Sequence, residues 1–458
     1  MEIAEIYKKY LQCTGVSTDT RQIEKGSMFF ALKGANFNGN TFAANALAIG
    51  ASYAVIDEAQ YKLDDRYILV PDVLQALQQL ANYHRRQFKI PFIAITGSNG
   101  KTTTKELVNA VLSTNYKTYA TKGNLNNHIG IPLTILAIKP YVEMAIIEMG
   151  ANHQKEIEGY CKIAEPTHGL ITNIGKAHLE GFGGFEGVKK GKGELYDYLL
   201  KTNGKVFVNS ANDILTTILS IKLKPSNVYN IVRPIVLKKF TSRIVGKNEK
   251  SYKIVYYPQQ SDYYHCSFME AKPFIKVKAE NGEVVTTQII GAYNFENIAA
   301  ALCIGKFFNV PASDANRAVA AYDPQNNRSQ AITKGTNTLV MDAYNANPSS
   351  MKAAIENFAQ MNAASKTVIL GDMFELGDES KAEHENLGKL LTTHLGDFST
   401  IVLVGKQMKY AKALVPSALY FETKDVLMDW LKQQKFMHAT ILIKGSRGIG
   451  LETVKEVI

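Results

Sequence analysis

Cysteine is scarce in this chain and long apolar runs are missing. The four cysteines, Cys13, Cys161, Cys266 and Cys303, stand far apart with no C-x-x-C pair. That excludes a zinc clasp or redox dithiol of local spacing and predicts reduced thiols in a cytosolic protein. No stretch approaches the roughly 20 apolar residues that span a bilayer. Glu2, Glu5, Lys8 and Lys9 interrupt the start, where a secretion signal would need an apolar core. A cytoplasmic protein without a membrane span is therefore expected. There is no internal repeat and no low-complexity tract, which excludes repeat arrays. Charge of one sign is only mildly in excess, with 52 Lys plus Arg against 42 Asp plus Glu and a formal charge of +10. The excess favours anionic partners such as nucleotides, nucleic acid or polycarboxylates, and it is also what a solvated basic surface gives.

What is present suffices for several hydrophobic cores. At 458 residues, 46% of them apolar and 21% charged, the chain exceeds one core, and roughly 150 residues per domain gives three domains. The expected class is α/β. Residues 1–87 read as a small α/β unit with strands at 27–32 and 53–56 and helices at 42–48 and 73–88. Residues 88–322 carry short buried strands at 92–95, 144–147, 168–171 and 205–208 alternating with helices, the pattern of a mostly parallel sheet. Between about 228 and 290 the chain turns β-rich and aromatic, with strands at 252–257 and within 263–277 and a hairpin turn at Glu280-Asn281-Gly282-Glu283. An antiparallel insertion is expected there. Residues 323–458 resume the alternation, with strands near Leu339, Val368, Ile401 and Ile441 and helices near Ser349, Ala382, Val426 and Leu451, and predict a separate Rossmann-like domain.

The strongest chemical signal is Thr96-Gly97-Ser98-Asn99-Gly100-Lys101-Thr102-Thr103, which follows a strand and opens a helix. Glycines let the backbone aim its N–H groups inward, and the helix N-terminus adds positive dipole. Lys101 then reaches the β and γ phosphates, and the Thr102 hydroxyl is placed to ligate Mg²⁺. The loop is shorter than the full Walker pattern, which would carry another Gly where this chain has Ile95. Phosphoryl transfer also asks for metal ligands at the ends of neighbouring strands. Glu148 follows the strand at 144–147, and His178 lies in Asn173-Ile174-Gly175-Lys176-Ala177-His178 after the strand at 168–171. Either alone is more often a cap or loop contact; their shared sheet favours metal.

Gly97 to Thr103, Glu148-Met149-Gly150-Ala151-Asn152-His153 and His178-Leu179-Glu180-Gly181 together resemble the central domain of the Mur ligases of peptidoglycan synthesis. The resemblance covers nearly the whole chain. Gly123-Asn124-Leu125-Asn126-Asn127, Gly130-Ile131-Pro132-Leu133-Thr134, Asp342-Ala343-Tyr344-Asn345-Ala346-Asn347-Pro348, Gly371-Asp372-Met373-Phe374-Glu375-Leu376-Gly377 and Lys444-Gly445-Ser446-Arg447 look most like one branch of it. That branch adds D-alanyl-D-alanine to UDP-N-acetylmuramoyl-tripeptide.

The resemblance implies ATP on Gly97, Ser98, Asn99, Gly100, Lys101, Thr102 and Thr103, with Asn294 and Asn297 at the adenine and Arg328 and Asp342 touching phosphates and ribose. Two Mg²⁺ ions would be held by Thr102, Glu148, His178 and a carbamate formed from CO2 on Lys192. Lys192 is chosen by its spacing of fourteen residues past His178; Lys189 and Lys190 compete, and each also reads as a solvated helix residue. Substrate contacts would come from Thr20, Arg21, Asn38 and Gly39 at the UDP end and from Asn126, Asn127, Asn345 and Asn347. A monomer with no nucleic-acid partner is implied. ATP would phosphorylate the tripeptide carboxylate, and the dipeptide amine would displace phosphate, in a site closed by the C-terminal domain. A sister ligase or a folylpolyglutamate synthetase would share the loop. A nucleic-acid motor would instead show an arginine finger and an Asp-ended strand, and a non-catalytic regulator could lose His178 and Lys192.

Overall fold

Residues 2–223, 253–325 and 327–458 are described by a computed structural model. Part of the expected β-rich insertion, through Tyr252, lies outside them, as does Asn326. Three sheets organise three α/β units. The N-terminal sheet has the order β1-β2-β5-β6, all parallel, from β1 (Val16–Ser17), β2 (Met28–Phe30), β5 (Tyr53–Ile56) and β6 (Tyr67–Leu69). A small hairpin, β3 (Lys33–Gly34) and β4 (Phe37–Asn38), stands apart. The helix Val73–Arg85 is N-capped by Asp72 and buries Val73, Ala76, Leu77, Leu80 and Ala81. It ends short of the expected 88 because Arg85 turns back on the carbonyls of Phe88, Ala164 and Glu165.

The central sheet is built from β7 (Phe92–Thr96), β8 (Thr118–Ala120), β9 (Met144–Glu148), β10 (His168–Ile171), β11 (Lys205–Asn209) and β12 (Ile254–Tyr257). They are parallel throughout in the order β12-β11-β10-β7-β9-β8. A strand covered on both faces must be apolar on both: Phe92 and Ala94 enter one core while Ile93 and Ile95 enter the other, and Ala145 and Ile147 oppose Met144 and Ile146 in the same way. The expectation for 252–257 is corrected here. Its described part, β12, extends the parallel sheet, because Val255 and Tyr257 bury themselves in the second core alongside Phe207. The antiparallel piece is the three-stranded sheet β13 (Ser267–Ala271), β14 (Phe274–Lys278) and β15 (Val284–Ile290), with the expected turn between β14 and β15.

The C-terminal sheet has the order β16-β17-β21-β18-β19-β20, from β16 (Gln330–Lys334), β17 (Asn337–Asp342), β18 (Ser365–Gly371), β19 (Thr400–Val404), β20 (Leu419–Phe421) and β21 (Ala439–Lys444). Only β16 runs antiparallel. Helices cover both faces, as a Rossmann-like domain requires. The helix expected near Leu451 is a 3-10 helix, Leu451–Glu456, whose buried Leu451 and Val454 are three apart, the 3-10 period. Among the described residues no helix is long and apolar enough to cross a membrane.

Candidate active site

The site lies at the C-terminal edge of the central sheet, where β7, β9 and β10 end side by side. After Thr96 the loop turns through Gly97 at φ +146° and Gly100 at φ +76° and enters the helix Lys101–Leu112. A Cβ on Gly97 would come within 2.0 Å of the Thr172 hydroxyl, and one on Gly100 within 2.6 Å of the Asn297 amide. Both conformation and space therefore demand glycine. The strand next door holds the loop's outer wall: Asn99 N–H donates to the Asn173 side chain at 3.0 Å, and the Thr172 hydroxyl donates to the Asn99 carbonyl at 2.6 Å. Ser98 is buried and donates to the Gly175 carbonyl. Lys101 folds over the loop, its Nζ donating to the carbonyls of Gly97 (2.9 Å) and Ser98 (3.2 Å). Burial, opposed by the Glu148 charge and helped by that of Arg328, lowers its amine to about 8.

Beside the loop, the Thr102 hydroxyl donates to one oxygen of Glu148 at 2.9 Å and the Asn126 amide donates to the other at 2.8 Å. Glu148 is 1% exposed, so its two oxygens are fixed in a nearly dry position with lone pairs to spare. Thr103 is buried in the first turn of the same helix. Lys192 sits in the helix Phe185–Lys201 and is 1% exposed. Its Nζ donates to the Ala151 carbonyl at 2.7 Å and lies 4.9 Å above the Phe182 ring, with no carboxylate among the described residues in ion-pair range. Burial, with the Lys101 charge adding, holds this amine well below the ordinary lysine value. Lys189 pairs with Glu186 at the surface instead. His178 stands just before the helix Leu179–Phe182, in left-handed backbone at φ +53°. Among the described residues no cluster of three His, Cys, Asp or Glu side chains exists that could hold a metal by itself. A cation here would depend on the Thr102 hydroxyl and a modified lysine as well.

The C-terminal unit is seated directly on this edge. Asn347 N-caps the helix Pro348–Ala359 and its amide donates to the Asn99 side chain at 2.7 Å. Ser349 accepts the N–H of Lys176 at 2.9 Å, and Lys176 pairs with buried Glu383 at 2.5 Å. Arg328 stacks 3.6 Å over Tyr344. Asp342 receives the buried Lys444 ammonium at 2.6 Å, while Asn345 binds its own neighbour's N–H. Asn294 and Asn297 are buried behind the loop and bond to each other at 2.7 Å; Asn294 also donates to Ser329, and Asn297 accepts the Thr104 hydroxyl. They buttress the loop from within.

The remaining candidates lie elsewhere. Asn127 precedes the helix Gly130–Leu136 and its side-chain oxygen accepts the N–H groups of Ile129 and Gly130. Thr20 opens a 3-10 turn, and Arg21 reaches solvent paired with Asp19. Asn38 caps the turn beginning at Gly39 and donates to Glu58. These five belong to the N-terminal and flanking segments and are not brought into contact with the loop.

Three family models match the chain: the Mur ligase family catalytic domain over residues 12–85, the Mur ligase middle domain over 95–305 and the Mur ligase glutamate ligase domain over 327–447. The UDP-N-acetylmuramoyl-tripeptide--D-alanyl-D-alanine ligase of Bacillus subtilis strain 168 is 32% identical over 456 residues, covering 97% of this chain and 93% of its own. The chain belongs to the Mur ligase family.

Solved Mur ligases share the fold. MurF from Acinetobacter baumannii superposes with a TM-score of 0.82 at 29% identity, covering 99% of this chain and 97% of its own. MurF from Thermotoga maritima, solved with ADP, gives 0.78 at 24% identity, covering 98% and 97%. In this Mur ligase, sequence reasoning missed Thr172, Asn173, Ser349, Glu375 and Glu383. Asn173 could have been found, since it follows the strand adjacent to the loop strand. A cleft of about 530 Å³ at the ends of β18, β19 and β20 was also missed; Glu375, Lys406, Gln407, Glu422 and Lys424 contribute to its walls.

Proposed function

We infer that this chain is the ATP-dependent ligase that joins D-alanyl-D-alanine to the terminal carboxylate of UDP-N-acetylmuramoyl-tripeptide, completing the soluble pentapeptide precursor of peptidoglycan. One observation carries the reading: full-length relatives with this activity match the chain end to end, over a site that combines a phosphate loop with a buried, charge-depleted lysine. Three functional units are proposed, with residues 1–87 at the UDP end, 88–322 for ATP and ligation, and 323–458 for the dipeptide and closure.

A carboxylate is a poor electrophile, so its oxygen first attacks the γ-phosphorus of ATP and ADP leaves. The dipeptide amine then attacks the acyl carbon, phosphate departs with the carbonyl–oxygen bond, and the amine proton passes to solvent. Lys101 and the loop N–H groups neutralise the phosphates, and Arg328 adds a second cation from the C-terminal unit. The residues fit a divalent cation: Glu148 supplies a hard, buried carboxylate, and the Thr102 hydroxyl donates its hydrogen bond to Glu148, leaving hydroxyl lone pairs available. Thr102, Glu148, His178 and carbamoylated Lys192 would hold Mg²⁺, which shields the transferring phosphoryl group when bound. Carbamate formation needs an uncharged amine, and Lys192 is a lysine whose ammonium is disfavoured. The cleft by Lys406, Glu422 and Lys424 offers both charge signs to a zwitterionic dipeptide.

The test is phosphate release. Release should require UDP-N-acetylmuramoyl-tripeptide and D-alanyl-D-alanine together. Stimulation by DNA or RNA in place of the dipeptide would overturn the reading.

A further inference from the structure

The stretch from Asp372 to Gly377 follows β18, and nothing above uses it as machinery. It is pinned residue by residue. The Asp372 carboxylate accepts the N–H groups of Gln407 (3.1 Å) and Met408 (2.9 Å). The Met373 N–H donates to Nε2 of fully buried His384 at 3.1 Å, and Nδ1 of that ring faces the Ser380 carbonyl at 2.7 Å. The Phe374 N–H donates to the Ser446 hydroxyl at 2.9 Å. What these bonds present is Glu375, in left-handed backbone at φ +61°. Its carboxylate lies against Nδ1 of His178 on the central unit, and its carbonyl accepts the Glu180 N–H at 3.5 Å.

Left-handed backbone is strained for a residue that carries a Cβ, and it persists where the surroundings over-determine it. Here two such residues, His178 and Glu375, meet side chain to side chain across a domain boundary. The Glu375 side chain is 51% exposed, so core packing does not explain its conformation. The Lys176–Glu383 pair ties the same two segments together a few residues away.

We propose that Glu375 is a positioning residue lent by the C-terminal unit: it takes Nδ1 of His178, sets the ring's orientation, and leaves Nε2 for the cation and phosphate side only while the units are docked. A carboxylate on the second ring nitrogen fixes the tautomer and direction of a metal-binding histidine, and its loss typically costs about 10–100-fold in metal affinity or activity. The proposal rests on the ligase reading of His178. It makes seating of the C-terminal unit a step in assembling the site.

Glycine adopts φ +61° freely, so Glu375→Gly removes the carboxylate while relieving the backbone. The full-length native chain, Glu375→Gly and Glu375→Gln are compared for melting temperature, Mn²⁺ affinity in the presence of a non-hydrolysable ATP analogue, and turnover. The expected result is a melting temperature equal to or above native in Glu375→Gly, with Mn²⁺ affinity and turnover down about 10–100-fold. Glu375→Gln, which keeps an acceptor oxygen, should recover part of both. Native Mn²⁺ affinity in Glu375→Gly overturns the proposal. So does a lowered melting temperature running parallel to the loss, which would assign Glu375 to holding the fold. If the native chain releases no phosphate with both substrates, the ligase reading fails, and the Mn²⁺ measurement still decides the pairing.

Discussion

Nucleotide affinity should fall about tenfold between pH 7 and pH 9, because the ammonium that meets the phosphates is already half lost near pH 8 in the free protein. Burial lowers the Lys101 amine to about 8, with the Arg328 charge adding and Glu148 opposing. A bound polyphosphate brings negative charge to Nζ and returns the amine toward the ordinary lysine value of about 10.4. The free value lies below the bound one, so binding takes up a proton once the pH exceeds 8. Below about pH 7 both states hold the proton and affinity is level. From pH 7 to pH 9 the protonated fraction of the free protein drops from about 0.9 to about 0.1, and affinity follows it. The terminal phosphate ionises near pH 6 and contributes little in this range. Calorimetric titration with ADP in two buffers of different ionisation enthalpy measures the affinity and the proton uptake together. Lys101→Arg, which cannot deprotonate, should bind more weakly overall but with a level profile. A level profile in the native protein, or an equal slope in the arginine variant, would refute the argument.

Lys192→Ala should abolish ligation with the fold retained, and a carbamate carbon signal seen in the native chain under ¹³C-bicarbonate should be missing from the variant. Full activity there would move the modification to another lysine or remove it. Asn297→Ala leaves the Thr104 hydroxyl and the Asn294 amide oxygen without their buried partner. Urea unfolding should show a loss of about 1–3 kcal/mol, and a change within a few tenths would sink the buttress role. Lys424→Ala should raise KM for D-alanyl-D-alanine on the order of tenfold while KM for ATP is kept, the worth of one charge-assisted contact. An unchanged dipeptide KM would take the substrate out of that cleft.

Much of the fold was legible because its causes are local. A strand covered on both faces must be apolar, so the interiors of β7, β9, β10 and β11 announce themselves. The loop is legible for a related reason, since Gly97 and Gly100 mark positive-φ turns inside an eight-residue window, although Thr172 and Asn297, which also crowd them, come from distant parts of the chain. Glu148 was found by its place at a strand end. What failed was whatever depends on a long chain excursion. The parallel attachment of β12 to β11 is fixed by the burial of Val255 and Tyr257 against a core that the strand's own sequence does not name. The helix near Leu451 was legible but its type was not, because an apolar residue every three or four positions fits both helix types over one turn.

The asparagines explain why site residues were harder than strands. Asn38, Asn126, Asn127, Asn294, Asn297, Asn345 and Asn347 were all candidates for ligand contact, and asparagine is also among the residues best suited to cap a helix or a turn. One side-chain chemistry serves both ends, so residue type cannot separate them; what the partner is does. Asn127 accepts the N–H groups of Ile129 and Gly130, and Asn38 caps its turn through the Asn40 N–H while its amide reaches Glu58 across 20 residues, away from the phosphate loop. Asn126 reaches Glu148 across 22 residues and fixes a buried carboxylate beside the phosphate loop. Asn347 does both at once, capping its helix through Oδ1 and reaching Asn99 across 248 residues through Nδ2. One amide therefore fixes the start of a C-terminal helix and holds that helix against the phosphate loop. A rotation of the C-terminal unit that broke the Asn347–Asn99 bond would also pull Ser349 from Lys176 and Glu375 from His178, because all three contacts join the same pair of units. Domain seating and loop geometry are thus coupled through specific atoms, and this coupling is the feature that a reading confined to local windows could not reach.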